Sequence, residues 1–482
     1  MHYLVWSLPV IIVAVVIGSG RRSTVAGSCG LATSIAVSLL SAPDRFGPLE
    51  ATLATAQGAW LALLVGAVIL GGLFFRDVVA DDAAADDRHP IPTTERRRQL
   101  YVTCFLVGPF VEAATGFGIG QVAVAPALKG IGLAPIHAVP LGLFSQTLVP
   151  WGALANGTIV GSQLSGLSPS VLGFHSALLT LPLLLGWLGL FWRMAAAAGL
   201  PGTIRDFIAE ASYTTSAAVL LIIFNIGLGP EVAALAALGT LISLRFVLTQ
   251  MINRRPWRSA LRVGLPYAAL IAGLAATRAS APLNKFLSDA FVVRPFIHGA
   301  SWLPFLHPST WLFGVAFVAA FTTGRSTLIQ DALRRAWSRG KKPVLTIVFF
   351  LAMAQVMLSS GIAAALAQGL ASTLGPTAVF TVPLFAGLFG FLTSSSSASN
   401  GLLMSAQAAL AGEAQLSLPW LAAIQNVAAA ALTMLSPLRL AMGCALVGRP
   451  DLERRVYAYA WPLGAIPLLL LAVAAALLLL CN

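Results

Sequence analysis

The sequence predicts an all-α, polytopic integral membrane protein of roughly 12–14 membrane segments, built as two inverted-topology repeats that each carry a broken or re-entrant helix. Three observations predict it. The 482 residues are 58% hydrophobic and only 10% charged, with a mean hydropathy of +0.86 that a soluble chain of this size does not reach. At about 20 residues per span plus short loops, the length suits about a dozen crossings. The arginines and lysines gather in short clusters between apolar runs, the positive-inside pattern of a membrane protein, which accounts for the net charge of +12 without invoking nucleic acid. Finally, two stretches set polar or helix-breaking residues at membrane depth, residues 108–128 in the first half (1–253) and 391–412 in the second (254–482).

Taken in order, the first apolar run, residues 4–20, ends at Arg21 and Arg22, so the N-terminus is expected outside and these arginines in the cytoplasm. Because the charges follow the run, it reads as a retained helix and not as a signal peptide. Runs 23–42 and 50–75 bring the chain back to the cytoplasmic side, where residues 76–99 mix Asp77, Asp81, Asp82, Asp86 and Asp87 with arginines and two prolines. That composition reads as a solvated linker. Runs at 135–160, 171–192, 214–228 and 231–251 follow, and Arg254, Arg255, Arg258 and Arg262 mark the cytoplasmic face again. Residues 261–276 lead to a polar, aromatic-rich outer loop at 278–308, and 309–323 return to the cluster Arg334, Arg335, Arg339, Lys341 and Lys342. Residues 343–358 exit, 376–392 re-enter from outside, and 419–447 and 457–480 are the last apolar regions.

Glu112 is the residue that needs explaining. Arg96, Arg97 and Arg98 mark a membrane face, and the helix from there to Glu112 carries the chain about 21 Å inward, near the middle of a hydrocarbon core about 30 Å thick. A carboxylate at that depth pairs, faces a polar cavity or carries a proton, which makes Glu112 the candidate for proton coupling. Gly116, Gly118 and Gly120 follow, each costing about 1 kcal/mol relative to alanine within a helix, so the helix is expected to break there. Broken backbone at membrane depth survives where it is buried in protein or lines a wet cavity, and its freed amides can then hold an ion.

The second stretch, F-L-T-S-S-S-S-A-S-N, packs more hydroxyls into the membrane than lipid can satisfy. Phe110 to Gly120 overlays Phe391 to Gly401 without a gap, and each is followed by a long segment holding Gln146 or Gln425. One motif is approached from cytoplasmic arginines and the other from the outer loop. That is the arrangement of inverted repeats whose broken segments meet at the midplane around a substrate. Small-residue packing, as at Gly116-x-x-x-Gly120 and Gly157-x-x-x-Gly161, is the competing reading.

The run F-V-E-A-A-T-G-F-G, Phe110 to Gly118, resembles the F-[VIL]-E-G-A-A-G-F-G motif of the bacterial L-lactate permeases. Thr393 to Asn400 is similar to that family's G-S-D-T-S-S-N stretch, and Ser436-Pro437 to its M-I-S-P-Q-S segment. The resemblance covers about 100–160 and 343 to the C-terminus. It implies a symporter of the bacterial cytoplasmic (inner) membrane that takes up L-lactate and related 2-hydroxy monocarboxylates, D-lactate and glycolate among them, together with protons. This chain departs from the pattern where the family's aspartate falls on Ser395 or Ser396, where its asparagine-threonine pair is replaced around Ser145 to Thr147, and where its lysine falls near Thr433. Arg439 stands where the family has a small polar residue. These departures bear on the exact substrate and on whether protons or sodium are coupled.

Arg439 lies ten residues before Arg449, about 15 Å along a helix, so it too is expected deep in the membrane. Its guanidinium can clamp a carboxylate or pair with Glu112. The candidate substrate-binding set is therefore Gly116, Gly118, Gln121, Gln146, Ser394, Ser395, Ser396, Ser397, Ser399, Asn400, Gln425 and Arg439. Lys129 reads as a snorkelling interface residue, and His137, His175, His298 and His307 as interface or loop histidines. Cys29, Cys104, Cys444 and Cys481 are scattered without a pairing or metal pattern. Neither a Walker loop nor an H-E-x-x-H or G-x-S-x-G motif occurs, so no cofactor or metal is expected and an ATP-driven pump is excluded. An intramembrane enzyme using Glu112 as a base, or a channel, are the alternatives to a secondary transporter. The expected partners are a small carboxylate, the coupling ion and the bilayer, and the oligomeric state leaves no trace in the sequence.

Overall fold

The computed structural model describes residues 2–43, 45–79, 92–116, 118–253, 258–296 and 300–480. The expected all-α class holds, and among these residues the one extended pairing is a bridge between Val293 and Trp302. The helices are α1 (His2–Gly18), α2 (Ser23–Ser41), α3 (Pro48–Val79), α4 (Thr93–Tyr101), α5 (Gly108–Thr115), α6 (Ile119–Gly130), α7 (Pro135–Gly142), α8 (Gly152–Ser165), α9 (Pro169–Ala197), α10 (Ile204–Leu228) and α11 (Pro230–Asn253). They continue with α12 (Arg258–Ala279), α13 (Ala281–Ala290), α14 (Pro308–Thr322), α15 (Ile329–Ser359), α16 (Ile362–Leu374), α17 (Thr381–Thr393), α18 (Ser396–Glu413), α19 (Leu418–Thr433), α20 (Pro437–Leu446), α21 (Glu453–Ala460) and α22 (Pro462–Leu480). Proline opens α3, α7, α9, α11, α14, α20 and α22, the helix position where its missing N–H is no loss and its φ is already helical.

Among the described residues, nine helical segments are long and apolar enough to cross a membrane, and the pair 135–146 and 149–165, bent by 55°, makes a tenth. Two shorter apolar helices, α1 and α14, join them. The core is built where α3 lies along α15 and α14, where α10 packs on α9 and α11, and where α17 packs on α19.

Two hairpins interrupt this bundle. A π-helical turn, Val102–Val107, joins α4 to α5, and α6 then runs back alongside. Arg96 Nε and Nη2 donate to the carbonyls of Ile131 and Gly132 at 2.7 and 3.2 Å, so the two ends of the hairpin meet at one end of the molecule. The second hairpin is α17 and α18, tied where Ser399 Oγ donates to the Ala386 carbonyl at 2.9 Å, and α18 packs on both α17 and α16.

Several sequence expectations are corrected. Residues 80–91, with Asp81, Asp82, Asp86 and Asp87, lie outside the described residues, as do Arg254, Arg255, His298 and Cys481. The flanks of that linker are helical, and Asp77 is buried on α3, where it binds Arg335 at 3.2 Å and Arg339 at 2.9 Å. Burial beside the basic face of α15 therefore converts a residue read as solvated into a tie between two helices. The cluster from Arg334 to Lys342 is itself helical because α15 starts at Ile329. Helices α13 and α16 fill stretches read as loops. Arg97, read as a membrane-face marker, is buried with Glu210 at 2.8 Å and lies 4.8 Å from the Phe191 ring centroid. Trp192 Nε1 also donates to Glu210 at 2.7 Å, so α4 is anchored onto α9 and α10. Finally, the gapless overlay is not the structural one: Gly116 aligns with Ser397, which already lies inside α18.

Candidate functional site

The site forms where both breaks approach the bent segment between α7 and α8. Gly116 (φ 71°) and Gly118 (φ 81°) turn the first hairpin through conformations that favour glycine. A methyl group on Gly116 would stand 2.6 Å from Ala153 Cβ. The buried Glu112 carboxylate folds back across this turn, accepting from Gly118 N at 3.0 Å and Gly120 N at 2.9 Å. It thereby satisfies amides left free at the start of α6. The second hairpin turns at Ser394 (φ 58°). Thr393 Oγ1 accepts from Ser395 N at 3.3 Å, and Ser395 Oγ caps α18 by accepting from Ala398 N at 3.2 Å.

Opposite these turns, Ala153, Leu154 and Ala155 have φ of 50°, 55° and 57°. Each such residue costs roughly 1–2 kcal/mol without glycine, and strain of this kind concentrates at functional sites. Glu112, Gly116, Ala153, the Ser394–Ser397 turn and Arg439 line one cavity of about 30 Å³, room for about two waters at roughly 10–15 Å³ each. Arg439 sits in the first turn of α20 and is buried, its Nη1 donating to Gln146 Oε1. No direct ion pair within 4 Å joins Arg439 to Glu112 among the described residues, so the pairing considered from sequence is replaced by one with a neutral amide.

Behind the cavity lies a buried network. Asn400 Nδ2 donates to the Gly157 carbonyl at 2.9 Å and to Asn426 Oδ1 at 2.8 Å, and Gln425 Nε2 donates to Asn400 Oδ1 at 3.4 Å. Asn426 Nδ2 in turn donates to Thr158 Oγ1 and Ser176 Oγ, each at 3.0 Å. The network fastens α18 and α19 to α8 and α9. Gly157 lets the halves approach this closely, because a methyl group there would lie 2.5 Å from Ser396 Oγ.

Residues 2–264 and 300–480 match the sequence profile described as L-lactate permease. The chain belongs to the L-lactate permease family. It is 26% identical over 421 residues to the L-lactate permease of Escherichia coli (strain K12), covering 76% of this chain and 75% of that protein. The glycolate permease GlcA of the same strain is 25% identical over 435 residues, with coverage of 76% and 75%. The L-lactate permease of Salmonella typhimurium is 25% identical over 430 residues, again covering 76% and 75%. The protein is a multi-pass membrane transporter, and the enzyme alternative gives way to this membership.

The structure gathers Glu112, Gly116, Ser394, Ser395, Ser396, Ser397 and Arg439 around the permease cavity, with Gln146 behind Arg439 and Asn400 and Gln425 in the network. Ser399 is committed to Ala386. Gly118 gives its amide to Glu112. Gln121 lies away from the cavity lining, at the crossing of α6 with α20. Lys129 does not merely snorkel, since its Nζ donates to the Val447 carbonyl at the end of α20, 3.1 Å away. Sequence reasoning missed Asn426, Thr158 and Ser176, and also Asn156, which lines the cavity. Their signal was the same as for Gln425: amides and hydroxyls in otherwise apolar runs.

Proposed function

We propose that the protein takes up L-lactate and related 2-hydroxy monocarboxylates, D-lactate and glycolate included, by proton symport across the bacterial cytoplasmic membrane. The observation that carries this reading is one cavity that joins a buried carboxylate, a buried guanidinium and the first turns of α8, α18 and α20. Helix N-termini favour anions through free N–H groups and their dipole. Arg439, steadied by Gln146, clamps the substrate carboxylate, while the amides and hydroxyls of Ser396 and Ser397 take the remaining carboxylate lone pairs and the 2-hydroxyl. Neither Gln121 nor Gln425 is given a substrate contact.

Glu112 supplies the coupling. An anion arriving about 4 Å from an ionised carboxylate meets roughly 4 kcal/mol of repulsion at an effective dielectric of about 20. Protonation removes that term. It also gives one carboxyl oxygen a hydrogen of its own and makes that oxygen a poorer acceptor, so one of the two amide bonds to Gly118 and Gly120 weakens, which ties the proton to the shape of the first hairpin. The two hairpins and their flanking helices are read as inverted repeats, with the Arg96 end of the molecule cytoplasmic and the N-terminus outside. A cavity of about 30 Å³ is too small for the substrate, which fits a carrier whose halves part to admit it.

The test is Glu112→Gln in proteoliposomes. We expect exchange of labelled L-lactate across the membrane at near wild-type rate and no accumulation under an imposed pH gradient. Accumulation at the wild-type level would remove Glu112 from coupling, and accumulation driven only by a sodium gradient in the wild type would replace the proton.

A further inference from the structure

We infer that Asn156 reads the 2-hydroxyl of the substrate, its Oδ1 accepting the one hydrogen that a 2-hydroxy carboxylate anion has to donate. The inference rests on the substrate class proposed above and names the residue that selects it. Asn156 stands in α8 directly after the left-handed turn at Ala153 to Ala155 and is 5% exposed. It lines the same cavity as Glu112, Arg439 and the Ser394–Ser397 turn. Gly157, the next residue, lies against Ser396 Oγ, so the amide and the serine hairpin border one space.

The amide fits only one way round. Nδ2 donates to the Val65 carbonyl of α3 at 3.3 Å, and because a carbonyl oxygen only accepts, the atom that meets it has to be the nitrogen. Oδ1 is thereby turned away from that carbonyl. It accepts no hydrogen bond among the described residues, and unlike the amide oxygens of Gln121 and Gln425 it is not sealed inside the protein. The open space beside Asn156 is the cavity. Val65 and Asn156 both belong to the first half of the chain, so the aim of Oδ1 is kept when the second half parts to admit the substrate.

The donor and acceptor inventory decides what Oδ1 takes. A carboxylate only accepts, so the 2-hydroxyl is the sole donor of the substrate anion. The other side chains around the cavity suit that hydrogen less well. Arg439 only donates. Glu112 already accepts from two amides, and under the proposed coupling it carries a proton when the substrate is bound. A serine hydroxyl that accepts still has its own hydrogen to place, so it serves the 2-hydroxyl better by donating to its oxygen. Among the described residues, Asn156 Oδ1 is the one neutral side-chain oxygen on the cavity that accepts and never donates. A site that pairs with a substrate hydroxyl rejects analogues without it, because the buried partner is then left unpaired.

The experiment is competition against exchange of labelled L-lactate in proteoliposomes by unlabelled L-lactate, glycolate, pyruvate and propionate. Pyruvate keeps an oxygen at C2 without the hydrogen, and propionate lacks both. In the wild type, glycolate should compete within a few-fold of L-lactate, and pyruvate and propionate about tenfold more weakly or worse. In Asn156→Ala the inhibition by L-lactate and glycolate should weaken by about tenfold while that by pyruvate changes less than about twofold, so the gap closes. Asn156→Leu, which keeps the volume without the amide, should close it too, and supplies the comparison if the alanine variant folds poorly. Pyruvate competing as well as L-lactate in the wild type overturns the assignment. So does a gap that survives in the variants, with all four competitors weakened alike, since that is what loss of the α3–α8 tie alone would give. Either of those results leaves L-lactate as a substrate and removes only Asn156 from its recognition; wild-type protein without saturable L-lactate exchange would bring down the proposed substrate class and this assignment together.

Discussion

The two hairpins use the same device with different chemistry. In the first, Glu112 reaches across the break to the amides of Gly118 and Gly120; in the second, Thr393, the last residue of α17, reaches across to the amide of Ser395. One clasp is a carboxylate and the other a hydroxyl. A carboxylate clasp changes when a proton arrives, because protonation turns an acceptor into a donor, whereas a hydroxyl clasp is indifferent to pH. The second hairpin is further fixed by Ser395 capping α18 and by Ser399 bound to Ala386. Under the proposed function the two hairpins divide the labour: the glycine hairpin would be the part that senses the proton, and the serine hairpin the fixed wall that offers amides to the anion.

The largest effect expected from this division falls on Arg439, the cation that both hairpins face. Truncating a buried charged contact typically costs about 2–5 kcal/mol, so Arg439→Gln should lower kcat/KM for L-lactate by roughly 10²–10³-fold, with folded yield kept because glutamine can still pair with Gln146. Arg439→Lys should restore little, since an ammonium lacks the planar fork that meets a carboxylate with two bonds. Uptake kinetics on protein of matched yield decide it. Near wild-type activity in Arg439→Gln would show that the two walls bind the anion without a cation between them.

The next effect is on folding. Gly116→Ala adds a methyl group 2.6 Å from Ala153 Cβ at a φ of 71°, which costs roughly 1–2 kcal/mol in backbone strain before the clash is counted. The glycine hairpin should therefore lose monodisperse yield and melting temperature in detergent. Below that comes the serine wall: Ser396→Ala with Ser397→Ala removes hydroxyls and leaves the backbone amides in place. KM should rise by about 5–10-fold, equivalent to roughly one neutral hydrogen bond, with the maximal rate little changed. A KM shift as large as that of Arg439→Gln would move the anion's main contact onto the hydroxyls.

Much of this was legible in the sequence, for physical reasons. A carboxylate, a guanidinium and a run of hydroxyls at membrane depth cannot be neutral to lipid, so Glu112, Arg439 and Ser394 to Asn400 identified themselves. Three glycines in five residues marked the break. What composition could not reveal was partnership. Glu112 and Arg439 are the obvious pair by charge, yet backbone amides freed by the break and the Gln146 carbonyl took them instead, because a turn supplies donors that no residue list shows. Asp77 and Arg97 looked solvated for the same reason: their partners, Arg339 on α15 and Glu210 on α10, are far away in sequence. The left-handed turn at Ala153 to Ala155 has no sequence mark at all, since nothing in A-L-A asks for positive φ.

The smallest effect is the sharpest check on the comparison, because both hairpins turn through positive φ and only one uses glycine to do it. Ser394 at φ 58° carries a Cβ that costs roughly 1–2 kcal/mol there. Glycine would relieve that strain but lose about 0.5–1 kcal/mol in unfolded-state entropy. The terms nearly cancel. If Ser394 serves only as a turn, Ser394→Gly should leave melting temperature and KM for L-lactate almost unchanged, in contrast to Gly116→Ala. If its hydroxyl holds the substrate, the same variant should raise KM while leaving melting unchanged, and the serine hairpin would then bind through its turn as well as through the first turn of α18.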